Sequence, residues 1–151
     1  MPNINASRSV EIDAPMARVY AVASDVPGAE RWRNQVVEIE VLETDAEGRA
    51  TLVEEVTDAK VKKVTTRLRF SYDPPDAMSW EQEKGDMKWL RGGWRFEELD
   101  EARTRATFSL EGDPGRLLGM LLRGPAMGIV SDLMTKDPTD GLKREAESGA
   151  T

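Results

Sequence analysis

The strongest constraint on the fold is a middle region, residues 36–110, in which apolar and polar side chains mostly alternate with a period of two. This alternation is typical of antiparallel strands that bury one face and expose the other to water. Turn sequences such as Asp45-Ala46-Glu47-Gly48 and Asp73-Pro74-Pro75-Asp76 divide the region. The pattern predicts six consecutive strands: Val36–Glu43, Ala50–Thr57, Val64–Tyr72, Ala77–Glu83, Met87–Leu99 and Thr104–Leu110.

Three of these strands carry more specific predictions. In Val64–Tyr72 the even-numbered residues are mostly apolar and are expected on the dry face, whereas Arg67 and Arg69 are expected on the solvated face. Gly92-Gly93 inside a long strand predicts a bulge or a sharp bend. The dry face of the first of the six strands is predicted from three alternating residues: Val37, Ile39 and Val41.

The segment before this region predicts one strand and two short helices. Ser7–Ile12 alternates like a strand. Apolar residues then recur at the spacing of a helix face: Met16, Val19, Tyr20 and Ala23. Pro27 is placed to open a second, short helix that carries Trp32.

The segment after the region returns to helical spacing. Apolar side chains share one face of a final helix: Met127, Val130 and Met134, with Ile129 and Leu133 beside them. Pro125 and Pro138 argue against a single straight helix, and Asp137-Pro138 predicts a fresh N-cap with a kink or restart. A sheet with one apolar face needs a cover, and this final helix is the long apolar element that remains to supply it.

Charge excludes some classes of function. The formal net charge is −7. A protein that binds a nucleic acid backbone needs a positive surface, so this class is disfavoured. Docking on anionic membranes through a general basic field is disfavoured for the same reason.

The chain contains no histidine and no cysteine. A Ser-His-Asp triad, a Cys-His pair and a histidine-rich zinc site are therefore excluded, and so is a disulfide scaffold. Acid–base chemistry would fall to Asp, Glu, Lys, Tyr or water. A carboxylate-only metal site stays open, but no acidic loop of the calcium-binding type occurs. We assign no metal ligands and expect no cofactor.

Two features bear on membranes and on location. Met1–Ser9 is polar and has no apolar core of the signal-peptide kind. Leu117–Leu122 is apolar but far too short to span a bilayer. We expect a cytoplasmic protein with no stable membrane insertion. With Arg116 and Arg123 at its ends, Leu117–Leu122 is interpreted as a lid that touches a membrane during loading, or as the packed first turns of the final helix.

Several stretches together form a recognisable pattern: Ala6–Pro15 running into Val19-Tyr20, Asp25-Val26 with Glu30-Arg31-Trp32, Val36–Glu43, Ser79-Trp80, Gly92–Phe96 and Thr104–Thr107. These stretches resemble the START-like, helix-grip (SRPBCC) superfamily, and most closely its bacterial polyketide cyclase/dehydrase and coenzyme-Q-binding-like members. The resemblance covers nearly the whole chain.

The resemblance implies an α+β fold of order β-α-α-β6-α, in which a curved antiparallel seven-stranded sheet wraps around a long C-terminal helix. It implies one START-like ligand-binding domain over residues 1–151, with a frayed tail from about residue 145. It also implies an apolar cavity between sheet and helix. The residues expected to line that cavity are Leu68, Phe70, Tyr72, Trp80, Gln82, Trp94, Phe96, Met120, Met127, Val130 and Met134.

Two adjacent carboxylates are the weak catalytic candidates. Glu54 and Glu55 lie in one predicted strand, so one of them must point toward the concave side, unless both sit at the rim in water. A carboxylate in an apolar cavity is hard to ionise and can act as an acid or a base. Tyr72 and Gln82 are candidates to hydrogen-bond a carbonyl or quinone oxygen.

Three functions remain open at this point. The favoured hypothesis is a non-enzymatic protein that binds or carries a hydrophobic small molecule such as a lipid, quinone or polyketide. The first alternative is a polyketide cyclase/aromatase that works in the same cavity without histidine or cysteine. The second alternative is a partner-binding module, or a weak homodimer, that uses Leu117–Leu122 as its contact surface.

Overall fold

The computed structural model describes residues 4–60, 62–121 and 124–148. Seven strands are present: β1 (Ile4–Ile12), β2 (Val36–Thr44), β3 (Ala50–Asp58), β4 (Lys63–Asp73), β5 (Ala77–Gly85), β6 (Trp89–Asp100) and β7 (Arg103–Asp113). Three α-helices accompany them: α1 (Met16–Ser24), α2 (Gly115–Leu121) and α3 (Pro125–Ser148). A 3₁₀ helix at Pro27–Arg31 precedes Trp32, as the proline at its start predicts.

The strands form one antiparallel sheet in the order β1-β7-β6-β5-β4-β3-β2. Chain neighbours pair with one another from β2 to β7, and β1 closes the far side against β7. The sheet curves around the long C-terminal helix, so the predicted helix-grip arrangement is confirmed. None of the helices within the described ranges is long and apolar enough to cross a membrane.

The two faces of β4 follow the predicted alternation. Val64, Thr66, Leu68 and Phe70 are buried on the concave side. Arg67 and Arg69 point outward, where Arg67 pairs with Glu54 at 3.0 Å and Arg69 pairs with Glu43 at 3.0 Å. Burial of the apolar set against the helices therefore fixes the register of this strand.

The predicted bulge at Gly92-Gly93 is wrong, because both residues keep regular pairing with β5 and β7. Both glycines are needed for close approach instead. A Cβ on Gly92 would lie 2.9 Å from Trp80 Nε1, and a Cβ on Gly93 would lie 2.8 Å from the Met78 carbonyl oxygen. The Trp80 indole occupies the space that a side chain at position 92 would fill.

The predicted dry face of β2 is also wrong. Val37 is 48% exposed and Val41 is 36% exposed. The pairing with β3 shifts register between Val36 and Glu38 and again between Val41 and Glu43. Each irregularity moves the following residues to the other face, so simple alternation does not hold along this edge strand.

The predicted restart at Pro138 is wrong, because α3 runs without a break from Pro125 to Ser148 with Pro138 inside it. Asp137 does not cap a new helix. Its carboxylate accepts hydrogen bonds from the backbone N–H groups of Asn34 at 3.1 Å and Gln35 at 3.0 Å. The aspartate before the proline therefore anchors α3 to the start of β2.

The expected frayed tail also differs from the structure over residues 145–148. These residues continue α3, and Ala146 is completely buried. Arg18 of α1 donates to the Ala146 carbonyl at 3.5 Å, and Glu147 accepts from the Asp13 backbone N–H at 2.8 Å. Residues 149–151 lie outside the described part of the chain.

Two glycines of α3 provide a test of how tightly this helix is docked. A Cβ at Gly141 would overlap the backbone carbonyl oxygen of Trp32, whereas a Cβ at Gly128 would meet nothing within 4 Å. We expect Gly141→Ala to lower the free energy of unfolding by about 1–3 kcal/mol, because the helix must move away from Trp32. Gly128→Ala should raise it by about 0.5–1 kcal/mol through helix propensity. Urea denaturation measures both, and equal effects would contradict the close docking.

Candidate functional site

A cavity of about 90 Å³ lies between the concave face of the sheet and the helices that cover it. Its walls come from β1 and from β3 to β7, and its cover comes from α1, the 3₁₀ segment and α3. An engineered cavity of about 150 Å³ is known to hold benzene. The cavity in its present conformation is therefore smaller than the one that is known to hold a single ring.

Four aromatic rings form a continuous wall on the sheet side. Phe70 and Trp80 have ring centroids 5.7 Å apart, Trp80 and Phe108 are 5.6 Å apart, and Trp94 and Phe108 are 4.9 Å apart. The rings are tilted or edge-on, which is the geometry that aromatic quadrupoles prefer. Phe108 is not among the cavity residues predicted from the sequence, although the shared period of Ala106, Phe108 and Leu110 in β7 indicates that it lies on the buried face.

The structure brings part of the predicted cavity set together. Leu68, Phe70, Trp80 and Trp94 line the cavity from the sheet, and Val130 and Met134 line it from α3. The side chain of Met127 lies outside the described part of the chain, as do those of Leu117, Leu118, Leu121, Leu122 and Arg123. The backbone of residues 115–121 forms α2.

Four predicted residues lie outside the cavity lining. Tyr72 donates its hydroxyl hydrogen bond to the Ala50 carbonyl at 2.6 Å, and Gln82 Nε2 donates to the Met87 carbonyl at 2.8 Å. The Phe96 ring packs edge-on against Tyr20 at 5.8 Å. Met120 is 55% exposed. The alternation identifies which face the strand residues share, but position along the strand decides whether a side chain reaches the cavity.

One end of the cavity is polar. Glu55 is 4% exposed and points inward, and Arg33 Nη2 lies 2.9 Å from its Oε1 atom. Thr57 donates a hydrogen bond to the same oxygen at 3.3 Å. Arg33, Glu55 and Thr57 all line the cavity, so an ion pair and a hydroxyl converge beside its open space.

Glu54 is the same residue type on the opposite face of β3, and its environment differs. It points outward and pairs with Arg67 in a half-exposed position. Of the two adjacent glutamates, Glu55 is therefore the one that can meet a ligand. Arg33 was missed from the sequence, since it follows the 3₁₀ helix in a segment without a regular period.

Two nitrogen donors near this polar end lack partners. Trp32 Nε1 and Arg33 Nε are buried and have no hydrogen-bond acceptor among the described residues. Both residues line the cavity. An unpaired buried donor costs about 1–3 kcal/mol, so an acceptor from a bound molecule would be stabilising there.

Within the described ranges, no group of three or more acidic residues is arranged to hold a metal ion. Asp137 also lines the cavity, but its carboxylate is occupied by the backbone N–H groups of Asn34 and Gln35. Among the described lining residues, the ionisable groups are therefore one guanidinium and two carboxylates: Arg33, Glu55 and Asp137.

The family model described as polyketide cyclase/dehydrase and lipid transport matches residues 12–137. No curated protein sequence matches the chain at a significant level.

Solved structures provide further similarities. The Zhui aromatase/cyclase from Streptomyces sp. R1128 has a TM-score of 0.84 at 20% identity, with 99% of this chain and 97% of that chain covered. A START superfamily protein from Mycobacterium smegmatis has a TM-score of 0.82 at 14% identity over 95% and 97%. A protein from Thermus thermophilus has a TM-score of 0.79 at 25% identity over 99% and 100%.

Tyr72 gives a prediction about alkaline stability. Burial raises the pKa of Tyr72 from its ordinary value of 10.0 to about 12. Burial thus favours the neutral phenol in the folded state. The contribution of Tyr72 to the free energy of unfolding is therefore complete below about pH 10 and is lost as the pH rises toward about 12. Tyr72→Phe should cost about 1 kcal/mol at neutral pH through the lost bond to Ala50, and should flatten the decline above pH 10. Urea denaturation across this range measures both.

The residual decline in that variant is assigned to Tyr20, whose pKa burial also raises. An unchanged slope above pH 10 in Tyr72→Phe would contradict the assignment to Tyr72.

Proposed function

Because the chain belongs to the polyketide cyclase/dehydrase and lipid transport family, we propose that it binds or carries a small hydrophobic molecule between the sheet and α3. A lipid, a quinone and a polyketide are the ligand classes considered. The observation that carries the proposal is the aromatic wall of Phe70, Trp80, Trp94 and Phe108, which faces open space within the cavity. Flat rings in a partly enclosed apolar site are the usual lining of a small-molecule pocket.

The size of the cavity limits how the ligand enters. Its volume of about 90 Å³ is smaller than that of the cavity known to hold benzene, so we expect the cover to move before a ring fits. Val130 and Met134 are the described cavity residues of α3 upstream of the Asp137 anchor. Methionine adapts to irregular apolar shapes, so Met134 is suited to repack around a ligand. The proposal therefore includes an outward shift of the first half of α3 on binding.

The direct experiment is native mass spectrometry of the purified protein, followed by identification of any extracted small molecule. It is paired with thermal unfolding in the presence of a panel of one-ring, two-ring and isoprenoid compounds. A ligand that binds the folded state must raise the melting temperature in a concentration-dependent way. A protein that is empty and indifferent to the whole panel would contradict the binding function.

Trp80→Ala and Arg69→Ala test which face of the sheet binds. Trp80 lines the cavity, whereas Arg69 pairs with Glu43 and Glu83 on the outer face. We expect Trp80→Ala to weaken binding of a responsive aromatic compound by at least about tenfold, because a stacked ring contributes strongly to apolar contact. Arg69→Ala should change it less than about twofold. Titration calorimetry measures both variants, and the opposite order would contradict the concave-face site.

A second candidate function is that of a cyclase/aromatase. The observation that favours it is the buried position of Glu55 in the cavity. Its carboxylate is buried in the cavity beside Arg33 and Thr57, so polar groups converge where a substrate would lie. The similar fold of the Zhui aromatase/cyclase supports the same hypothesis. In that role Glu55 would take a proton from a carbon next to a carbonyl, and that carbon would bond to a second carbonyl carbon to close the ring. Protonated Glu55 would return the proton to the resulting alkoxide. Loss of that hydroxyl together with a second proton from the same carbon would then form the C=C bond and release water.

Glu55→Gln separates this candidate from simple binding. With a linear poly-β-ketone thioester as substrate, a cyclase should form a cyclic product, and Glu55→Gln should lower its rate by about 10²–10⁴-fold. Glu54→Gln is the matched control, since it alters the same chemistry on the outer face. Chromatography with mass detection follows the product. Absence of product above the uncatalysed rate would leave the binding function alone.

A further inference from the structure

We infer that the cavity selects uncharged ring compounds that carry a hydroxyl or carbonyl oxygen, that Trp32 and Arg33 donate hydrogen bonds to this oxygen, and that Glu55 accepts one from it when it is a hydroxyl. The inference rests on the proposed binding function and specifies its ligand class. It excludes two other classes: pure hydrocarbons, which leave the polar end unpaired, and carboxylates, which the charge of the lining repels.

The donors come from the segment after the 3₁₀ helix. Trp32 is 2% exposed, its Nε1 atom has no acceptor among the described residues, and the residue lines the cavity. The residue is held by its backbone, since its carbonyl accepts from Arg144 at 3.2 Å. Arg33 Nε is likewise buried and unpaired within the described ranges. A ligand oxygen is the acceptor that these N–H groups lack.

The acceptor comes from β3. Glu55 Oε1 forms an ion pair with Arg33 Nη2 and accepts a hydrogen bond from the Thr57 hydroxyl. The second carboxylate oxygen, Oε2, has no hydrogen-bond partner within the described part of the chain. A ligand hydroxyl can donate to it, and a hydrogen bond to an ionised acceptor is roughly twice as strong as one between neutral groups. A phenol satisfies both sides, because its oxygen accepts from the nitrogen donors while its O–H group donates a hydrogen bond to Glu55.

The charge balance of the lining argues against acids. Arg33 supplies one positive charge, whereas Glu55 and Asp137 supply two negative charges. Arg33 is already paired with Glu55, and Asp137 has backbone N–H partners but no cationic partner among the described residues, so a ligand carboxylate would face its negative charge. Like charges in a partly dry site repel strongly, since water screens them little there.

Three matched one-ring probes test this selectivity at neutral pH: p-cresol, toluene and benzoate. We expect p-cresol to bind at least about tenfold more tightly than toluene, which lacks the oxygen, and at least about tenfold more tightly than benzoate. Titration calorimetry and ligand-observed NMR give the three dissociation constants. Equal affinity for p-cresol and toluene, or benzoate binding as tightly as p-cresol, would overturn the inference.

Two variants locate the selectivity, each with a control on the outer face. Glu55→Gln removes one negative charge and should raise benzoate affinity about tenfold, whereas Glu54→Gln should leave it unchanged. Arg33→Lys removes the Nε–H donor and should reduce the preference for p-cresol over toluene severalfold. Arg67→Lys is its control, because Arg67 Nε is also buried and unpaired among the described residues but belongs to the convex face.

The outcomes distinguish the two proposals. If toluene and p-cresol bind alike and the variants change nothing, the cavity binds ligands but does not recognise oxygen, and only this inference fails. If none of the probes binds and no other apolar compound raises the melting temperature, the binding function itself fails. If Glu55→Gln does not fold, the comparison of Arg33→Lys with Arg67→Lys still decides the inference.

Discussion

At its polar end the cavity depends on the docking of α3 against the segment from Trp32 to Gln35. Asp137 accepts hydrogen bonds from two consecutive backbone N–H groups of that segment, and Gly141 allows the Trp32 carbonyl to lie directly against the helix. Arg144 then donates to the same carbonyl. These contacts fix the distance between α3 and this segment at the polar end, while the bonds to Arg18 and Asp13 hold the end of the helix.

The adjacent residues Glu54 and Glu55 show how a strand places identical side chains in different environments. Both are glutamates in β3, and both pair with an arginine at about the same distance, 3.0 Å to Arg67 and 2.9 Å to Arg33. The pleat alone sends one to water and the other to the cavity. An exposed pair of this kind contributes little to stability, whereas a buried one is strongly perturbed when either partner is removed. The difference between the environments of these two carboxylates therefore comes from orientation and burial.

Much of the fold could be predicted from the sequence because β4 and its neighbours alternate regularly. The inward set of β4, including Leu68 and Phe70, follows directly from that period. Prediction fails where a tertiary contact overrides a local preference. Pro138 lies inside a continuous helix, and the aspartate before it binds the backbone just before β2 instead of capping a new helix.

The candidate site was less predictable than the fold. Alternation identifies the face of a strand but not the depth of a residue along it, so Tyr72 and Phe96 were grouped with Phe70 although they lie beyond the cavity. Arg33 belongs to an irregular segment, and its partner Glu55 is distant in sequence. The irregular pairing of β2 has a consequence of another kind. β2 is an outer strand of the sheet, and its bulges together with Glu38, Glu40 and Glu43 make it a poor template for strands of other chains, which protects the open sheet from edge-to-edge aggregation.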